Sequence, residues 1–110
     1  MAEQKGKRMN RFELELILGQ AVRAAAARLG IYRVAYYSVD ELREQIRNKD
    51  GNVGDLLESF LRNYWEWWNF LRQMENQGKQ GKLDQDEVRQ HEHHMSERDE
   101  SRRLLLEQLP

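Results

Sequence analysis

The chain has no cysteine among its 110 residues, a single proline and seven glycines. The first absence excludes disulfides, thiolate metal sites and thiol nucleophiles. So little proline and glycine is at odds with a turn-rich all-β fold, which needs both between many short strands. Long apolar runs are missing too. Nothing approaches the roughly 18 consecutive apolar residues of a membrane-spanning helix, so no membrane partner is expected. Residues 1–11 are charged, with no apolar segment after them, which reads against a secretory signal. No charge sign dominates, because 18 Lys and Arg face 19 Asp and Glu for a net charge of −1. These features predict an intracellular, cytoplasmic chain, and so compact a sequence fits a bacterial or bacteriophage origin.

Catalytic patterns are also missing. No serine sits with a histidine and an acid in a recognisable arrangement, no glycine-rich phosphate loop occurs, and no carboxylate pair lies in a strongly apolar context. The carboxylates alternate with arginines at helical spacing, as on a solvated face. The expectation is a protein that is not an enzyme and has no cofactor.

What is present is uneven. Almost all the large apolar residues fall in 12–74, whereas 75–103 holds only Leu83, Val88 and Met95 before Leu104-Leu105-Leu106 and Leu109. Residues 1–33 carry seven basic and three acidic groups, and the remainder carries eleven basic and sixteen acidic. The division expected is a flexible basic arm (1–11), a helical core domain (12–77), a flexible break (78–82) and a polar C-terminal helix (83–110).

Helical periodicity is clear from 12 to 29. Leu14, Leu18, Val22, Ala25 and Leu29 recur every three or four residues, with Gly19 on the polar side. Gly30 stands where a helix ends in a left-handed residue. Ser38 and Glu41 make a capping box for a short helix over 39–48, and 49–52 reads as a tight turn. A third helix spans 53–77. Its stripe runs from Val53 through Phe60, Tyr64, Trp67 and Trp68 to Met74, with Trp65 beyond one edge and Phe70 beyond the other. That apolar arc exceeds half the circumference, so the helix either lies central in a bundle or lends a face to an interface. Asp84 and Glu87 repeat the capping pattern ahead of a polar helix to about 108, marginal alone in water and expected to be loosely attached. The segment 31–37, aromatic and β-branched, reads either as a connector with an extra helical turn or as a short strand. The predicted fold is therefore all-α: a small bundle of three core helices plus the long polar helix.

Three features favour an interaction protein: the overwide aromatic arc, the unpartnered 31–37 segment and the leucine-rich terminus. The candidate interface residues are Trp65, Trp68, Phe70, Tyr32, Tyr36, Leu105, Leu106 and Leu109, since tryptophan and tyrosine dominate interface energetics. The expected function is self-association or docking on a larger protein, as in an adaptor, assembly factor, small subunit or inhibitor. A second candidate is the helix face of Glu87, His91 and His94, whose spacing suits a divalent metal, with Arg98 one turn on.

The stretch Ala25-Ala26-Ala27-Arg28-Leu29-Gly30-Ile31-Tyr32-Arg33 resembles the core of a helix-turn-helix. An alanine stands four residues before the turn glycine, with apolar residues around it. The resemblance, over 25–42, implies an alternative DNA-binding function. Its recognition helix would begin near Tyr32, with Arg28 and Arg33 as the DNA-binding residues. The sequence departs from that pattern where 31–37 has strand composition and Ser38 starts a new helix.

Overall fold

The computed structural model describes residues 9–79 and 82–110. Among these, four α-helices and one 3₁₀ turn occur and no strand: α1 (Arg11–Arg28), a 3₁₀ turn (Val34–Tyr36), α2 (Val39–Lys49), α3 (Gly51–Asn76) and α4 (Gln85–Gln108). The all-α bundle expected from periodicity is the observed architecture. Residues 1–8 of the expected arm, and 80–81 of the expected break, lie outside the described residues.

Local chemistry sets the helix ends. Asn10, Ser38 and Asp84 each accept from the backbone N–H three residues on, and Glu13, Glu41 and Glu87 reach back to the cap N–H. All three are closed capping boxes, which satisfy otherwise orphaned donors. Helix α1 ends at Gly30, with φ +82°, where Ile31 N–H donates to Ala26 and Gly30 N–H to Ala27, both at 3.0 Å. Gly78, at φ +72°, closes α3 with the same pair of bonds, to Met74 and Glu75. Left-handed glycine followed by an apolar or long side chain is the economical way to end a helix. The expected tight turn at 49–52 shrinks to one residue, for Asp50 ends α2 and its side chain caps α3 by accepting from Val53 N–H.

The core sits where α1, α2 and the first half of α3 meet. Val22, Leu42, Ile46, Val53 and Leu57 are fully buried there, each side chain contributing about 1.5–3 kcal/mol of apolar transfer. Gly19 is buried as well, facing Val39 of α2, and so does not lie on the polar side of α1. Between α2 and α3, the Arg43 guanidinium forks onto Glu58, with Nε–Oε2 at 2.8 Å, and reaches Asp40 at 3.1 Å. That hydrogen-bonded partner holds the Glu58 carboxyl below its ordinary range, against a smaller opposing effect of burial.

Helix α4 is not a loose appendage. Leu105 belongs to the same buried cluster as Val22, Leu42 and Leu57, and Leu109 packs against it. Buried Ser101 donates to the carbonyls of Glu97 and Arg98, so its hydroxyl is satisfied within the helix. Arg28 Nε donates to the Pro110 carbonyl at 2.9 Å, tying the chain end to the end of α1. Helix α3 thus lies central, covered by α1 and α2 over its first half and by α4 along its length.

The 31–37 segment is not a strand. A strand here would have no ladder partner, and Ile31 and Val34, three apart, both pack on the core. Left-handed Arg33 leads into the 3₁₀ turn Val34–Tyr36, and Tyr32 and Tyr36 stay exposed.

Candidate functional site

The loop between α1 and α2 carries the most exposed large apolar side chains of the described residues. Tyr32 is 86 % and Tyr36 76 % exposed. Both ends of the loop are fixed, by left-handed Gly30 on one side and the Ser38 capping box on the other. Ile31 and Val34 anchor its middle. Arg33 itself is left-handed, at φ 57° and ψ 46°. For a residue with a β-carbon that conformation costs about 1–2 kcal/mol, and such strain gathers at functional positions. Its guanidinium carbon lies 5.7 Å from the Tyr36 ring centre. Beside the loop, a shallow cavity of about 440 Å³ is lined by Ile31, Tyr32, Tyr37, Gln45, Asn48 and Lys49.

The remaining candidate interface residues divide. Trp65 is 39 % exposed and opens on a shallow cavity shared with Gln90 and His94, and Leu106 is exposed. Trp68, Phe70 and Leu105 are buried within this chain and are not free to meet another. The Trp68 indole N–H donates to the Met9 carbonyl at 2.7 Å. Phe70 is 5 % exposed, its ring 6.2 Å from that of His91 and 5.2 Å from that of His94. Leu109 is half-buried against the core.

Glu87, His91 and His94 are not brought together as a set of metal ligands. Among the described residues no group of three histidines or carboxylates is placed to hold an ion. Glu87 is spent on the backbone N–H of Asp84 and on the Lys79 ammonium, while His91 and His94 turn their rings to Phe70. Arg98, on the same face, covers Trp67 at 4.4 Å from the ring centre and Tyr64 at 5.8 Å. Burial, and then the Arg98 charge, lower the His91 pKa and favour neutral imidazole. The Trp67 indole N–H is buried with no acceptor among the described residues, so the ring is held by that cation and by packing. The histidine face is the polar cover of the aromatic half of α3.

The helix-turn-helix geometry fails at its second helix. No recognition helix begins at Tyr32, because the next α-helix starts only at Val39, whereas that motif joins its helices by a turn of about 3–4 residues. Arg28 is engaged with Pro110, and Arg33 stands in a loop.

Sequence reasoning missed two groups. Gln45, Asn48 and Lys49 complete the loop cavity from α2, a neighbour that no local pattern reveals. Phe12, 68 % exposed, and exposed Leu16 stand one turn apart on α1. A separate apolar groove of about 400 Å³ runs past Leu18, Gly19, Val39 and Leu61. The placement of Phe12 and Leu16 on the face of α1 opposite its apolar stripe was the available signal. No helix among the described residues is long and apolar enough to cross a membrane. Comparison with protein-family models, with curated proteins and with solved structures gave no match.

Proposed function

We propose that this protein is a non-enzymatic interaction module of the cytoplasm that docks on another protein, or on a second copy of itself, through the α1–α2 loop. The observation that supports this reading is the exposure of Tyr32 and Tyr36 on a loop whose backbone is fixed at both ends. Exposed tyrosines on a held backbone lose little conformational entropy on binding and bury large rings, as in the paratopes of binding proteins. Arg33 between them adds a residue type enriched at interface hot spots. Left-handed Arg33 opens the 3₁₀ turn, its carbonyl accepting from Tyr36 N–H at 2.9 Å, and so helps to hold the Tyr36 backbone.

The test is the double substitution Tyr32→Ser and Tyr36→Ser. Both side chains are exposed, so the melting temperature stays within a degree or two of the parent. Binding to the docking protein, or the mass by light scattering where the partner is a second copy, falls by at least about tenfold in affinity. Unchanged association in a folded variant overturns the proposal.

A further inference from the structure

Independently of the loop, we infer that the contact between α3 and the N-terminal half of α4 is acid-sensitive. Protonating the histidines that cover Phe70 places three cations along one face of α4 and loosens that half of the helix from the rings beneath it. The two halves of α4 are held differently. Leu105 enters the shared core, Leu109 packs against it, and Pro110 is bonded to Arg28. From Asp84 to Arg103 the only aliphatic or thioether side chains are Val88, which is exposed, and Met95, which is half-buried. That stretch covers the α3 rings with His91, His94 and Arg98, which share a helix face at i, i+3 and i+7.

Arginine stays charged at any working pH, whereas imidazole changes its charge between about pH 5 and 8. A proton on His91 takes a cation into a half-buried place against Phe70, with Arg98 and His94 beside it. Burial first, then the Arg98 charge, hold the His91 pKa below the usual 6.5, against a smaller raising effect of Glu92. The other charged groups around the contact do not offset this. On α4, Glu87 is spent on Lys79 and on the Asp84 backbone, and Asp99 on Arg98, while Glu92 is exposed. On α3, Glu75 holds Arg72, and Glu66, beside His94 at the rim of a shallow cavity, is exposed.

The folded contact thus favours neutral His91. It is at full strength above the ordinary imidazole pKa and weakens as pH falls through it toward the lower folded value. An imidazolium is also drawn to the face of an aromatic ring. That attraction acts in the opposite direction, so the sign of the pH effect separates the two.

The experiment melts the full chain at about pH 7.5 and about pH 5.5, at one ionic strength, as the parent, His91→Gln, His91→Leu and His93→Gln. Each variant is compared with itself at the two pH values, so a lower starting stability does not obscure the result. The parent is expected to melt about 3 °C or more lower at the acidic pH. That fall should shrink to less than about half in both His91 variants and persist in His93→Gln, which changes an exposed ring. Amide hydrogen exchange, corrected for its intrinsic pH dependence, places the effect along the helix. On acidification, protection over 88–98 should drop more than over 101–106. A parent that melts at the same temperature at both pH values overturns the proposal. One that melts higher at the acidic pH overturns it in favour of imidazolium–ring attraction. A full fall retained in both His91 variants, or protection lost equally along α4, also overturns it.

Discussion

Gly19 and Gly54 are both buried inside helices, yet the space around them gives the same substitution opposite effects. A β-carbon at Gly54 would stand 2.9 Å from Cα of Arg47, backbone that cannot give way without separating α2 from α3. At Gly19 the nearest atoms are the mobile tip of Arg23 at 3.2 Å and a Val39 methyl at 3.4 Å. Alanine at Gly54 is therefore expected to cost about 1–3 kcal/mol through overpacking. Alanine at Gly19 is expected to raise stability by up to about 1 kcal/mol through helix propensity. Urea unfolding of the two variants checks this. An unchanged or raised stability of Gly54→Ala would show that the approach of α2 to α3 is not as tight as described, and a loss in Gly19→Ala that the Arg23 tip and Val39 do not give way. At this scale the sequence was partly legible. Gly30 could be placed because its left-handed role follows from the chain on either side of it. The burial of Gly19 and the crowding at Gly54 depend on which helix comes near, and no neighbouring residue encodes that. Arg33 shows the same limit, since arginine carries no local signal for a left-handed backbone.

Among the elements, α4 separates what is local from what is tertiary. Its start was readable from Asp84 and Glu87, because a capping box is a contact three residues long. Its attachment was not, because its seam is mostly polar. Aromatic rings of α3 are covered by His91, His94 and Arg98 in place of aliphatic side chains. Periodicity analysis counts those residues as solvent-facing. Leu105 is the strongest apolar link of α4 to the shared core, and Leu105→Ala is expected to destabilise the whole bundle by about 2–5 kcal/mol. Tryptophan fluorescence and circular dichroism should then report one common, lowered transition. A loss confined to part of the helical signal, with the tryptophan transition unmoved, would restore the picture of a loosely attached helix. The 31–37 segment failed the opposite way: its composition carries a strand preference, but a strand needs a partner, and the inward spacing of Ile31 and Val34 wins.

For the molecule as a whole, the excess aromatic surface of α3 has two destinations. Most of it is used internally, which is why Trp68 and Phe70 were candidates on the sequence and are core in the structure. Of the α3 aromatics Trp65 stays exposed, while the most exposed rings of the described residues, Tyr32 and Tyr36, belong to the α1–α2 loop. An overwide apolar arc shows that a helix must be covered; the covering element, here a polar helix later in the chain, is visible only in three dimensions. The same reasoning moves the functional question to the short loop that the helices hold out into solvent. The most direct measurement is site-specific photocrosslinking in cells, with a benzophenone amino acid in place of Tyr36 and, as control, in place of exposed Glu92 on α4. The account expects a discrete crosslinked product from position 36, either with a second protein or at twice the chain mass, and none from position 92. Equal products from both positions, or none from position 36, would contradict docking through the loop.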